Sequence, residues 1–223
     1  MRTGWMTWYS KSAGGWAAMA VYFGQRLRET LGVPVGIVLC AWGGSGCSAW
    51  ISAETLRGPE LNSVWPEEVM GWRPNLAPSR LYNGMLRPLA PFAIAGFGWY
   101  QGETEATPYH NPYVHRFLLA AMIQDWRRLW GRPDLPFYLV QLPNRDNEPR
   151  WVVVRESQSE AQRLARTEMI TTIDIGQPWD LHPKNKPAVA NRLADLVLHR
   201  EYGQKTWSGA ATFDHVARDG SAL

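Results

Sequence analysis

The sequence predicts an α/β domain with a mainly parallel sheet covered by helices on both faces. Apolar stretches of strand length alternate along its 223 residues with stretches of helical periodicity, as they do in βαβ units. Two of these stretches, residues 34–42 and 92–99, are apolar almost throughout, which is typical of strands buried on both faces. The length fits one domain.

The N-terminal half predicts one helix, a glycine-rich turn and a long excursion. Apolar residues recur at helical spacing over residues 16–31, and Gly32 and Pro34 then end the helix. The predicted strand that follows leads into the tight turn at residues 43–46. Residues 57–78 are rich in Pro and Trp and predict an irregular excursion before the second strand.

The C-terminal half alternates helix and strand. Asn111 and Pro112 suit the N-cap and first turn of a helix that runs to about Trp130 and is closed by Gly131. The remaining elements are a strand at 136–142, a helix at 151–166, a strand at 168–174 and a helix at 186–202 that ends at Gly203. Because ligands of such sheets bind beyond the carboxyl ends of the strands, we expect a site in the loops after the predicted strands.

The composition excludes several classes of protein. Hydrophobic residues make up 45% of the chain and charged residues 19%, which excludes a disordered segment. Two cysteines exclude a disulfide scaffold, and their positions lack zinc-site spacing. The net charge of +3 comes from scattered Lys and Arg, and no apolar stretch approaches the ~20 residues of a membrane helix. We therefore expect no metal, no nucleic acid and no membrane as a partner.

Asp180 and His182 are the first candidates for catalysis. They follow the last predicted strand, and residues two apart in an extended loop point to the same side. A carboxylate there can hold an imidazole through one ring nitrogen and leave the other nitrogen free as a general base. The alternative is a solvated loop with an incidental histidine.

Polar residues also follow the strand that ends at Trp99. The amide of Gln101 can donate to a developing oxyanion, and Gly102 allows substrate to approach the backbone. Glu103 and Glu105 provide an alternative, the paired carboxylates of a glycosidase. A polar turn without function is the simplest interpretation of any one of these residues alone.

The turn at residues 43–46 is the third candidate. Its amide groups, exposed between glycines, are typical of a loop that donates backbone hydrogen bonds, and Ser45 is an alternative nucleophile. Cys47 stands where the nucleophile-elbow pattern requires its last glycine. Cys40, before the turn, is predicted to be a core residue.

Other aromatic and histidine residues are predicted to be structural. His115 and His199 are predicted to lie on helix surfaces, and Trp126 to be the buried residue of a helix face. The chain has 13 Trp, a residue found both in cores and on sugar-stacking surfaces. Trp65 and Trp72 are predicted to pack together under the long excursion.

The order of the motifs is specific. The matching segments are residues 33–38, 42–45, 81–89, 98–103, 125–127, 136–141, 155–158 and 180–186. With these segments, over about residues 12–202, the chain resembles the sialate O-acetylesterase family, a branch of the SGNH (GDSL-like) hydrolases. The resemblance implies a flavodoxin-like α/β/α fold in three layers, with residues 1–223 as a single partial domain that lacks the first strand.

The resemblance also implies roles for single residues. Asp180 and His182 match the acid and base of the triad, and Gly44 and Gln101 match the oxyanion-hole donors, the first through its backbone and the second through its amide. Gln101 stands where many SGNH enzymes carry Asn. Ser45 and Glu103 are candidate substrate-binding residues.

The nucleophile of the family is not in this sequence. The family carries its serine in a Gly-Gln-Ser-Asn block that would precede Met1, and the block does not occur in the chain. We therefore expect the larger C-terminal part of a catalytic domain, cut at both ends. The strands at 34–42 and 92–99 would then lack their shared neighbour, at about 1–3 kcal/mol for each unpaired buried donor.

The predicted function is a carbohydrate esterase that hydrolyses O-acetyl esters of sialic acid or a related sugar, without a metal or organic cofactor. The expected partner is an O-acetylated sugar or glycan. The alternatives are an esterase that uses Ser45, a non-catalytic carbohydrate-binding fragment and, more distantly, the glycosidase. The sequence does not fix the oligomeric state. Family members are commonly exported, which favours a secreted or periplasmic full-length parent.

Overall fold

Three parallel strands form the central sheet. The computed structural model describes Trp5 and residues 15–64, 77–146 and 148–205. Within these residues the sheet has the order β1 (Phe97–Trp99), β2 (Phe137–Val140), β3 (Thr167–Ile170). Both pairings are parallel, and Phe97, Phe137 and Thr167 lie side by side in register. The parallel α/β architecture predicted from the sequence is confirmed.

Helices flank this sheet. The α-helices are α1 (Ala18–Leu31), α2 (Ala53–Leu56), α3 (Pro59–Asn62), α4 (His115–Leu129), α5 (Pro149–Glu160) and α6 (Lys186–Tyr202). Short 3-10 turns lie at Cys47–Trp50, Arg87–Leu89, Pro112–Val114 and Ala161–Arg163, and a π-helical turn at Tyr82–Leu86. Among the described residues no helix is long and apolar enough to cross a bilayer. In the same residues no group of three or more His, Cys, Asp or Glu is placed to hold a metal ion.

The helix ends follow the predicted signals. Gly32 and Gly203 adopt left-handed φ values of 68° and 65° after α1 and α6, a conformation that glycine adopts without strain. The Asn111 side chain accepts a hydrogen bond from the backbone N–H of Tyr113 at 3.1 Å and so caps the turn before α4. These boundaries are confirmed.

The side chains of β2 divide the core into two layers. Phe137 and Leu139 pack with α4 on one face, whereas Tyr138 and Val140 pack with α1 and α6 on the other. This alternation is the two-residue period of a strand. All four residues are buried, so the sheet lies between two helical layers as the α/β/α prediction requires.

The strand predicted at residues 34–42 is wrong. This segment contains no strand in the structure. Val35 packs against the core layer of α1 and α6, and Cys40 packs against the core layer of α4. Val38 and Leu39, by contrast, are 44% and 42% exposed. β1 is an edge of the described sheet, and no described strand pairs with residues 34–42. An apolar run is covered on both faces only when a neighbouring strand holds it in the sheet.

Aromatic rings fill the core between β1 and α4. The Trp126 ring lies 5.0 Å from Phe97 and 5.4 Å from Trp99, both edge to face. Its indole N–H donates to the Trp50 carbonyl at 2.8 Å. The prediction that Trp126 is the buried residue of its helix is confirmed. Trp65 and Trp72 lie outside the described residues.

Candidate active site

The glycine-rich loop after residue 42 leaves one face of its backbone open. Gly44 has a φ of 71°, and no atom lies within 4 Å of the position that a Cβ would take. Ser45 is buried, and its hydroxyl donates to the Trp42 carbonyl at 2.8 Å and accepts from the Trp50 indole N–H at 2.9 Å. The hydroxyl proton and one lone pair are thus committed to Trp42 and Trp50, which disfavours Ser45 as a nucleophile.

Glu105 fastens this loop to the segment after β1. Its carboxylate is buried and accepts from the Cys47 backbone N–H and from the Gln101 amide, both at 2.5 Å. A side chain at Gly46 would come within 3.1 Å of the same carboxylate. One acidic group therefore fixes the relative positions of the two segments that carry Gly44 and Gln101.

Both N–H donors of the Gln101 side-chain amide are used in hydrogen bonds. Its nitrogen donates to Glu105 and, at 3.1 Å, to the Ser45 carbonyl, while its Oε1 is buried without a hydrogen bond among the described residues. The backbone carbonyl of Gln101 accepts from the Gln158 amide at 2.9 Å. A role as oxyanion donor requires the bond to Ser45 or to Glu105 to open.

Asp180 and His182 lie in the loop after β3. Oδ1 of Asp180 accepts from the backbone N–H of His182 at 2.8 Å, because an aspartate side chain reaches the amide two residues on. The His182 side chain is exposed, and its ring makes no hydrogen bond to the described residues. The second carboxylate oxygen, Oδ2, is not used by this backbone bond.

Glu103 lies within electrostatic reach of His182. Burial raises the pKa of Glu103, with a further upward contribution from Glu105 and an opposing one from His182. Burial lowers the pKa of Lys186, against the pull of Glu103 and Asp180. The Lys186 ammonium lies 5.3 Å from the centre of the Tyr100 ring. Glu103 and Asp180 therefore both lie within electrostatic range of Lys186, and Glu103 lies within range of His182.

The raised pKa of Glu103 predicts a pH-dependent gain for Glu103→Gln. The folded state binds this proton more tightly than the unfolded state, so the stabilisation by neutral Glu103 is present at acidic pH and is lost as the pH rises through the folded pKa. The variant keeps a neutral side chain throughout. We expect its free energy of unfolding, relative to wild type, to be higher at about pH 7 than at about pH 4.

Urea unfolding of both proteins at the two pH values measures this difference. Glu156→Gln removes an exposed carboxylate from α5 and is the matched control. Identical pH profiles for the two variants would contradict the assignment of the effect to burial of Glu103.

Comparison with known proteins shows the family to which the chain belongs. The family described as carbohydrate esterase, sialic acid-specific acetylesterase, matches residues 9–199. The chain belongs to this family. The sialate O-acetylesterase of Pongo abelii is 29% identical over 216 residues, which cover 85% of this chain and 40% of that protein. The human sialate O-acetylesterase is 28% identical with the same coverage.

A solved structure gives the same result for the fold. A carbohydrate acetylesterase from Xanthomonas citri superposes with a TM-score of 0.75 and 40% sequence identity, over 86% of this chain and 43% of that protein. The chain thus spans about two fifths of the length of the relatives to which it is similar.

The structure differs from the sequence predictions at two buried residues, Glu105 and His115. The sequence predicts Glu105 only as one of a glycosidase pair, although a carboxylate four residues after Gln101 is a signal for a bond between the two side chains. The prediction that His115 lies on a helix surface is wrong, since it is fully buried where α4 packs against α5. Its Nδ1 lies 2.5 Å from Ser157 Oγ. Burial lowers the pKa of His115.

Proposed function

We propose that this chain carries the acid–base pair and the oxyanion donors of an esterase that removes O-acetyl groups from sialic acid or a related sugar. The observation that carries the proposal is the Glu105 carboxylate, which joins the loop of Gly44 to Gln101 after β1. The loop of Asp180 and His182 follows β3 of the same parallel sheet. Chain segments that follow parallel strands meet at one edge of the sheet, where ligands bind.

The proposed chemistry is acyl transfer. A ring nitrogen of His182 takes the proton of a serine hydroxyl, and the serine oxygen attacks the acetyl carbonyl. The Gly44 N–H donates to the oxyanion, and so does the Gln101 amide once its longer bond, to the Ser45 carbonyl, opens. His182 then returns the proton to the sugar oxygen that leaves, and water hydrolyses the acetyl-serine by the same path. Asp180 uses Oδ1 to hold the loop and Oδ2 to orient the imidazole.

The serine in this proposal is supplied by a segment outside the 223 residues. The Gly-Gln-Ser-Asn block of the family does not occur in the sequence. The Ser45 hydroxyl is committed to Trp42 and Trp50. Ser45 in this proposal supports the loop, and its replacement by alanine changes activity little in comparison with replacement of His182.

Complementation tests the proposal. The chain is co-expressed with the part of the Xanthomonas citri acetylesterase that lies outside the matched region, and acetate release is measured from O-acetylated N-acetylneuraminic acid and from p-nitrophenyl acetate. We expect the complex to release acetate and the folded chain alone to release none. Activity of the chain alone that is lost in Ser45→Ala would assign the nucleophile to Ser45. A folded complex that binds acetylated sugar without releasing acetate would favour a carbohydrate-binding protein.

A further inference from the structure

Trp179 is the most exposed large hydrophobic side chain in the described part of the chain, with 78% of its surface open to solvent. The buried tryptophans of the same part are Trp50, Trp99, Trp126 and Trp151. A single exposed apolar residue is ordinary by itself. Trp179, however, directly precedes Asp180 and lies three residues before His182, so its indole lies beside the proposed acid–base pair.

A tight turn holds Trp179 in this position. The Asp180 backbone N–H donates to the Gln177 carbonyl at 2.9 Å, which closes a four-residue turn with Pro178 and Trp179 at its tip. Gln177 and Asp180 also form an isolated antiparallel bridge. Proline at the second position of such a turn sets its own φ in advance. The indole is therefore presented by a backbone with little freedom to move.

Hydrogen bonds fasten this turn on both sides. The backbone N–H of Asp146, in the segment after β2, donates to the Pro178 carbonyl at 3.0 Å. On the other side, Oδ1 of Asp180 accepts from the His182 backbone N–H at 2.8 Å. Because three residues of extended chain span at most about 11 Å, one small ligand can contact both the indole and the imidazole.

The path of the proton indicates which part of a substrate meets this loop. In the proposed reaction His182 returns its proton to the oxygen of the leaving sugar, and that oxygen must come within about 3.2 Å of the imidazole. The acetyl oxygen is instead held by the donors at Gly44 and Gln101, which belong to two other loops. The leaving sugar is therefore the part of the substrate that lies against the loop of Trp179 and His182.

We propose that Trp179 is a platform for the pyranose ring of the leaving sugar. The apolar C–H face of the ring lies on the indole, and the exposed side chains of Gln177 and Asp146 provide hydrogen-bonding groups for hydroxyls at the ring edge. A six-membered ring covers a flat aromatic surface, whereas an acyclic alcohol such as glycerol does not. This inference rests on the proposed function and deepens it, because it assigns a residue that distinguishes cyclic from acyclic acetate esters.

Kinetics of the complemented esterase test the platform. Trp179→Ala is expected to raise KM for O-acetylated N-acetylneuraminic acid about tenfold with little change in kcat. The contact is made equally in the ground state and the transition state, so its loss weakens binding alone. For glyceryl triacetate, kcat/KM is expected to stay within about twofold of wild type. Trp179→Phe keeps a flat ring and is expected to restore most of the affinity for the sugar ester.

Tyr202→Ala is the matched control. Tyr202 is 45% exposed and ends α6, roughly 24 Å along the 17-residue helix from Lys186. Its replacement is expected to leave KM unchanged for both esters. Equal losses for the sugar ester and for glyceryl triacetate in Trp179→Ala, or a Tyr202→Ala enzyme that behaves like Trp179→Ala, would overturn the inference.

Binding without turnover separates this inference from the proposed function. The indole N–H signal of Trp179 in the ¹⁵N-labelled 223-residue chain is assigned by its absence in Trp179→Ala and followed as N-acetylneuraminic acid or glycerol is added. We expect it to shift with the sugar alone. No shift at about 50 mM sugar, or equal shifts with both compounds, rejects the platform. With that shift present, a folded complex that releases no acetate rejects the proposed function alone, and an active complex whose KM is unchanged in Trp179→Ala rejects the platform alone.

Discussion

His182→Ala is expected to lower kcat for acetate release by the complemented esterase about 10³-fold or more, with little change in KM. The imidazole moves a proton in the transition state and contributes little to binding the ground state, which is why kcat and kcat/KM fall together. Because the His182 side chain is exposed and its ring has no hydrogen bond to the described residues, the melting temperature is expected to stay within about 2 °C of wild type.

Two further variants, Asp180→Asn and His199→Gln, test whether the loss is specific to the proposed acid–base pair. Asp180→Asn retains an oxygen that accepts from the His182 backbone N–H and removes the charge that orients the imidazole. We expect a loss in kcat comparable to that of His182→Ala. A loss below about tenfold would assign Asp180 to the loop alone. His199→Gln alters a half-buried histidine near the end of α6, and equal losses in both histidine variants would contradict a catalytic role for His182.

The sequence contained enough information to predict the helix ends and the parallel pairing of the strands. Signals such as Gly32, Asn111 and Gly203 act within a few residues of the helix end that they define. Local backbone geometry and hydrogen bonding decide such boundaries. The alternation of strands and helices likewise predicts parallel pairing, since crossover connections require it.

The prediction of a strand at residues 34–42 is wrong because strand formation depends on a partner outside the segment. A run of apolar residues indicates that a segment is suited to burial, but a strand exists only where another strand accepts its hydrogen bonds. In the described structure β1 pairs with β2 alone. Val38 and Leu39 are consequently exposed, a state that the residues themselves do not predict.

In the candidate site, too, local features can be read from the sequence and long-range contacts cannot. The spacing of Asp180 and His182 is visible in the sequence, and so is the position of Gln101 after a strand. The bonds that join the loop of Ser45 to Gln101 and Glu105 are less visible, because Glu105 reaches Cys47 across 58 residues and the Gln101 amide reaches the Ser45 carbonyl across 56. Contacts of this separation depend on the packed fold, and sequence spacing does not report them.

Glu105→Gln is expected to destabilise the chain by about 2–3 kcal/mol. The buried carboxylate accepts one N–H at each oxygen, from Cys47 and from Gln101. An amide offers one oxygen, so its NH₂ group must face one of those donors; a flip of the Gln101 amide would relieve this only by giving up the bond to the Ser45 carbonyl, and one buried group stays unsatisfied either way. Urea unfolding at about pH 7 measures the loss. Glu103→Gln, two residues away, is the contrasting variant, because its free energy of unfolding relative to wild type is expected to rise between about pH 4 and about pH 7.

The same substitution has a second readout because Glu105 is a positioning residue. Loss of either bond leaves the Gln101 amide joined to the loop of Gly44 only by its 3.1 Å bond to the Ser45 carbonyl, so the separation of the two oxyanion donors is less firmly fixed. We expect kcat for acetate release by the complemented esterase to fall about 10²-fold while KM changes little. Glu105→Asp keeps two acceptor oxygens on a shorter side chain and should recover part of kcat. A Glu105→Gln enzyme that is less stable but retains wild-type kcat would show that the carboxylate supports the fold alone.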